Sequence, residues 1–250
     1  MGTIIFTLLS IAVGLAAGKK TQPTGLELDH LYICAAKGAP EARVLEDAGL
    51  RLAGDTAHHT GQGTASVFFV FENMYLELSW VEDSVELAGA DQELADKFNN
   101  ANRGGSPFGL GLRRSEPITD SLPFQTRSYY QEWMREGSSI EVAQTNHSSD
   151  PEVFVVPTYM GHDSLLARAK AARSERLEDL KHPAGIKKLT KIKISGPNLP
   201  GESQTLSVLS ERGIVAFGES EKHVAELTFD QGRQGKTIDA RPDLPLVIHY

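Results

Sequence analysis

Apolar and polar residues alternate along several stretches of this chain, and each stretch is closed by glycine or proline. Residues 26–35 alternate between Gly25 and a turn at 37–40, which predicts a strand. Pro40 suits the first turn of a helix, and 41–48 reads as that helix, with Gly49 as its stop. A short strand at 50–53 follows, then a hairpin of strands at 65–71 and 73–81, rich in aromatic and branched side chains. The order is β-α-β-β-β. Further on it recurs: strand 188–195, helix 202–211 stopped by Gly213, strands 214–217 and 223–229. Segment 28–33 lines up with 189–194, 45–50 with 209–214, and 76–80 with 225–229. The second hairpin is the shorter one and lacks a counterpart of 58–64.

A repeated unit predicts two half-structures packed face to face over one core. Period two puts His30 and Tyr32 on one face of the first strand, and Tyr75, Glu77 and Ser79 on one face of the last. If the apolar faces pack under the helices, then His30, Glu77, Lys191 and Glu226 should meet on an open, concave side. Between the halves the pattern predicts a helix at 85–100, strands at 107–113, 139–145 and 152–157, and an amphipathic helix at 165–180 ended by His182-Pro183. A glycine- and arginine-bearing loop at 232–242 and an apolar strand at 244–249 close the chain. In that loop Arg241 reads first as a structural partner of Asp239 or Asp243.

The first 18 residues carry no charged side chain, and Lys19-Lys20 closes them. This predicts an N-terminal apolar helix in 1–20, either a membrane anchor or a cleaved secretory signal, detached by a linker at 21–25. Retained, it ties the protein to a membrane; cleaved, it leaves the protein exported. The rest, 26–250, reads as one domain: module one at 26–82, an insertion at 83–181, module two at 182–250.

Composition narrows the chemistry. The chain has 250 residues and a formal net charge of −8, which argues against nucleic acid as a partner, since phosphate binding needs clustered Lys and Arg. A single cysteine, Cys34, excludes both an intrachain disulfide framework and a cysteine zinc site, and its apolar strand marks it as a buried, inert thiol. His58-His59 before Gly61 and Gly63 fits no phosphate-binding spacing, and no Gly-x-Ser-x-Gly elbow is present.

Five segments carry a resemblance: Leu28-Asp29-His30-Leu31-Tyr32, Gly61-Gln62-Gly63-Thr64-Ala65, Tyr75-Leu76-Glu77-Leu78, Pro107-Phe108-Gly109 and the tail from Asp239 through Arg241-Pro242 to Leu246. With them the chain resembles the glyoxalase-like domain of the vicinal-oxygen-chelate (glyoxalase, bleomycin resistance, dioxygenase) superfamily. The resemblance implies an α+β fold in which paired β-α-β-β-β modules close a half-open barrel, or cup. It further implies, for metal-dependent members, a divalent metal held by one residue from the first and one from the last strand of each module. Carried onto this chain, the ligands would be His30, Glu77 and Glu226, with Lys191 at the fourth place. Imidazole and carboxylates suit iron, manganese, zinc, nickel or cobalt, whereas an ammonium has no lone pair to give. Either three ligands suffice, or another residue substitutes, or the Lys191 charge replaces the metal. His59 is a substitute ligand, an acid–base group or a solvated loop residue; Lys191 is a pocket cation or a solvated strand lysine.

Two functions follow as expectations. In the first, an enzyme runs metal-assisted lyase, isomerase or dioxygenase chemistry on a small oxygenated molecule, the metal polarising two vicinal oxygens and Glu77 or Glu226 moving a proton at the adjacent carbon. In the second, a metal-free cup lined by Tyr32, Phe69, Tyr75 and Trp133 binds and sequesters a hydrophobic or cationic compound.

Overall fold

Leu31 and Ile33 are fully buried in the core while their neighbours His30 and Tyr32 point the other way, and this division runs through the first sheet. The computed structural model describes residues 25–115, 121–131, 134, 136–144, 150–159, 175–199, 201 and 203–250. The fold is α+β, with two mixed sheets. The expected apolar helix within 1–20 lies outside the described residues, and no helix among those described is long and apolar enough to cross a membrane.

The first sheet is built from β1 (Leu26–Cys34), α1 (Ala42–Asp47), β2 (Ala53–His59), β3 (Thr64–Val70) and β4 (Tyr75–Val81), then α2 (Ser84–Ala90), α3 (Gln92–Ala101), β5 (Phe108–Arg114), β6 (Thr126–Tyr129), β7 (Ile140–Ala143) and β8 (Glu152–Tyr159). Its strand order is β2-β3-β4-β1-β5-β8-β7-β6. Within it β1 runs parallel to β4, β5 parallel to β8, and β1 and β5 lie antiparallel at the centre. Each half therefore repeats one arrangement about the β1–β5 seam. The partner of module one is accordingly the segment expected to be an insertion, and not residues 182–250.

The remaining chain contributes α4 (Glu175–Asp179) and a second sheet of β9 (Leu189–Gly196), α5 (Gln204–Glu211), β10 (Ala216–Glu219), β11 (Val224–Phe229), β12 (Thr237–Asp239) and β13 (Leu246–His249), ordered β10-β9-β11-β13-β12. Here β11 is antiparallel to β9, whereas β4 is parallel to β1. The likeness of 225–229 to 76–80 is thus one of apolar alternation and not of place. The expected second hairpin is not formed: β10 and β11 flank β9 on opposite sides, so β11 meets β9 directly.

The sheets pack back to back through one continuous core. Leu31, Ile33, Leu76, Leu78, Leu110 and Val153 of the first meet Ile192, Ile194, Leu227, Phe229, Leu246 and Ile248 of the second. Burying each such side chain is worth about 1.5–3 kcal/mol relative to exposure. Phe71 and Phe229 touch across the seam with ring centroids 4.4 Å apart. Asn73 binds both backbone groups of Leu189, accepting from its N–H at 2.9 Å and donating to its carbonyl at 3.0 Å. The polar faces of the two sheets therefore look outward in opposite directions.

Two smaller expectations are corrected, and a third is met over its described part. The strand read at 50–53 is β2, starting at Ala53 and running on to His59. The helix read at 85–100 is two helices, split because Asp91 is extended and its carboxylate caps the next turn, accepting from Glu93 N–H at 2.9 Å and Leu94 N–H at 3.1 Å. Of the helix read at 165–180, Glu175–Asp179 is helical and the part before 175 lies outside the described residues.

Candidate functional site

The cup face of the eight-stranded sheet surrounds a cavity of about 200 Å³. Both halves line it: His30, Tyr32, Tyr75 and Glu77 from one, Glu152 and Phe154 from the other, with Leu94 and Phe98 of α3 across the mouth. Five residues singled out in the sequence, His30, Tyr32, His59, Tyr75 and Glu77, are thereby brought together.

A β-bulge shapes the centre. Leu28 pairs with Leu112 and His30 with Gly111, so Asp29 is the extra residue, opposite nothing. The bulge shifts the alternation by one, and Leu28 and Leu31 both stay in the core while Asp29 and His30 share the other side. Asp29 Oδ2 then lies 2.9 Å from His30 Nδ1. Arg113, itself buried, reaches Asp29 Oδ1 at 3.5 Å and also ties Glu27 at 3.1 Å and the Asn73 carbonyl at 3.0 Å. Burial alone would raise the Asp29 carboxyl, but the His30 hydrogen bond and the charges of His30 and Arg113 hold it below its ordinary value. An ionised Asp29 only accepts, so Nδ1 carries the proton and Nε2 is the nitrogen presented to the cup.

That Nε2 faces Glu77 Oε2 at 3.7 Å, beyond hydrogen-bond length. The other Glu77 oxygen accepts from the Ser66 hydroxyl at 2.6 Å. Tyr75 stacks on the imidazole with centroids 4.5 Å apart and planes 14° from parallel. The neighbouring positions on β5 are Gly109 and Gly111, where a methyl would overlap the Tyr32 and His30 rings respectively. The glycines let the two rings lie across β5, which fixes their direction into the cavity. His59 lies at the edge, its Nδ1 2.9 Å from Thr64 Oγ1, and burial lowers its pKa against the pull of Glu77.

On the opposite wall the Tyr32 hydroxyl donates to Glu152 Oε2 at 2.6 Å. Burial pushes the Glu152 carboxyl above its ordinary value, although the Tyr32 hydrogen bond and the nearby Lys97 charge pull it down. Burial and the Glu152 charge likewise push the Tyr32 hydroxyl well up. Lys97 of α3 is buried behind this wall and donates to the Asp150 carbonyl at 3.0 Å. Arg127 of β6 pairs with Asp91 at 3.0 Å and Glu93 at 2.7 Å, which pins the start of α3 over the mouth.

The structure does not bring Lys191 or Glu226 to the cup. Both lie in the second sheet, whose polar face points away from it. Glu226 pairs there with Lys193 at 3.2 Å and lies 4.0 Å from His249, and Thr228 is the strand partner of Lys191. The roles assigned to Glu226 as ligand and proton carrier, and to Lys191 as a pocket residue, are therefore corrected. Phe69 is also out of the cup, fully buried on the core face, and Trp133 lies outside the described residues. Arg241 pairs with Asp239 at 2.6 Å. Cys34 is inert, as burial pushes its thiol up to about 12.

Sequence reading missed Asp29, Glu152, Asp91 and Arg127. A bulge hides Asp29 from any strict period of two. Glu152 did carry a signal, a lone carboxylate heading the apolar run 153–156, but its strand was assigned to an insertion.

The donors also test the metal. Among the described residues no three His, Cys, Asp or Glu side chains gather as a metal-holding set. His30 and Glu77 supply two donors, Ser66 occupies one Glu77 oxygen, and β5 presents Gly109 and Gly111 beside them. This set does not fit the four-ligand pattern that the resemblance implies.

No family model and no curated protein matches the sequence. Among solved structures, the fold is similar to that of a hypothetical protein from Staphylococcus aureus, at 11% identity and a TM-score of 0.47, covering 90% of this chain and 98% of that one. It is also similar to methylmalonyl-CoA epimerase from Mycobacterium tuberculosis, at 16% identity and a TM-score of 0.33, covering 52% of this chain and 86% of that one. At such distances neither likeness assigns an activity.

Proposed function

We propose that this chain is a glyoxalase-like, vicinal-oxygen-chelate type protein whose cup moves a proton at a carbon beside an oxygen-bearing group of a small molecule. The reaction class is isomerase or lyase. One observation carries the reading: Asp29 orients His30 so that Nε2 faces the cavity beside Glu77. In the proposed step Nε2 takes the proton from carbon, and the Asp29 carboxylate favours the imidazolium that forms. Glu152, which keeps its proton to higher pH than an exposed glutamate, is the donor offered to the developing oxyanion through its second oxygen, while the Tyr32 hydroxyl, donating to Oε2, holds the carboxyl in place. Leu94 and Phe98 add apolar surface to the lining around the reacting carbon. No step is drawn through a metal, because the donors gathered in the cup do not fit one.

Solvent exchange tests this without a known product. The protein is incubated in D2O with small ketones, hydroxyacetone and phenylacetone first, and deuterium at the α-carbon is followed by NMR. The wild type should catalyse exchange, and His30→Gln should slow it by about 100-fold, the usual contribution of a positioned base. Exchange that survives His30→Gln, or a wild type that exchanges no ketone of the series, contradicts the reading. The aromatic wall of Tyr32, Tyr75 and Phe154 favours a second reading, sequestration, which predicts ketone binding without exchange.

A further inference from the structure

The charges around the cavity do not balance in the way an anionic ligand would need. Three carboxylates line it, Glu77, Asp91 and Glu152, against one guanidinium, Arg127. Arg127 is already spent twice over, on Asp91 and Glu93. Asp91 is occupied both by that pair and by capping α3. Glu152 is engaged with Tyr32 and shifted towards its neutral form by burial. His59 is likewise shifted towards neutral by burial. Glu77 differs from these. One of its oxygens is held by Ser66, while Oε2 stands 3.7 Å from His30 and faces the cavity. A largely buried carboxylate is stabilised by a cation within hydrogen-bond reach.

The rest of the wall suits the same guest. Tyr75, Tyr32 and Phe154 surround His30, the last with ring centroids 5.3 Å from the imidazole and 6.2 Å from Tyr32. Aromatic faces beside a carboxylate attract an ammonium through the ring quadrupole and repel an anion. A cavity of about 200 Å³ has room for one small molecule.

We infer that the cup selects a small amine, with its ammonium on Glu77 Oε2 and its apolar or aromatic body against Tyr32, Tyr75 and Phe154. This rests on the cup being the functional site, as proposed above, and adds the charge class of what enters it. Carboxylate and phosphate compounds are the excluded class, since no cation of the described lining is left to receive them.

The test uses the full chain and three probes of one shape: 2-phenylethylamine, 2-phenylethanol and phenylacetic acid, each titrated calorimetrically at neutral pH. The amine should bind at least tenfold more tightly than the alcohol, and the acid least of the three. Glu77→Gln should abolish the amine's advantage while leaving the affinity for the alcohol within threefold. The wild-type order stands as a test even if the variant fails to fold. Equal or tighter binding of the acid, an amine preference that survives Glu77→Gln, or failure of all three to bind overturns the inference. Deuterium exchange separates it from the reading beneath. Exchange without an amine preference removes the charge class alone, whereas an amine preference without exchange removes the chemistry and leaves an amine-binding cup.

Discussion

Gly109 and Gly111 set the cup as firmly as any of its polar residues. A methyl at 111 meets the His30 ring and a methyl at 109 meets the Tyr32 ring, both within a sheet that cannot shift far. Gly111→Ala should therefore turn the imidazole away from Asp29 and cost about 1–3 kcal/mol, the usual range for overpacking. Chemical denaturation reads the cost, and the His30 side-chain NMR signals read the loss of the Asp29 bond. Unchanged signals with unchanged stability would show that the ring does not depend on the glycine. At this scale much of the site was legible: alternation alone placed His30, Tyr32, Tyr75 and Glu77 on one face. Asp29 was not, because adjacent residues share a side only where a bulge breaks the period. Glu226 was misplaced for a different reason. Alternation gives the face of a strand and says nothing of which way the sheet faces.

Among the elements, α3 is held over the cavity by its own first turn. Asp91 ends α2, caps α3 and receives Arg127 from β6, so one carboxylate fastens three pieces of chain. The apolar run 85–100 reads as one helix because nothing in its periodicity marks the break; the cap at Asp91 does. Asp91→Ala removes both N-cap bonds and one ion pair that is largely out of solvent. It should cost about 1–2 kcal/mol, dominated by the cap. Hydrogen exchange should rise across Gln92–Ala101 and leave β1 and β5 protected. Uniform loss of protection across the sheet would mean that α3 unfolds only with the whole protein.

For the whole molecule, the back-to-back packing of the sheets turns their polar faces apart, and the cavity is lined from the first of them. The pairing of the β1–β4 half with the β5–β8 half inside the first sheet was the least legible feature, because the two halves share little sequence. Their likeness lies in the hydrogen-bond ladder. His182 helps to fix the packing: it accepts from Arg51 N–H at 2.9 Å through Nδ1, and its Nε2 lies 3.0 Å from the Val70 carbonyl. Burial lowers its pKa, with the Arg51 charge adding to that and the Val70 bond opposing it. The unfolded chain then binds the extra proton more readily, so stability is full above the ordinary histidine range and falls as pH drops below it. His182→Ala should lose about 2 kcal/mol at pH 7.5 and show a smaller further loss at pH 5.5 than the wild type, read by urea melts. Identical acid sensitivity in both would place the effect on other groups. The most direct check of the account compares the two polar faces in one assay. The deuterium exchange of a ketone is measured for wild type, His30→Gln and Glu226→Gln. Loss of exchange in His30→Gln alone, with Glu226→Gln within twofold of wild type, is the predicted result. Loss in Glu226→Gln, with His30→Gln unaffected, would put the chemistry on the other sheet and contradict it.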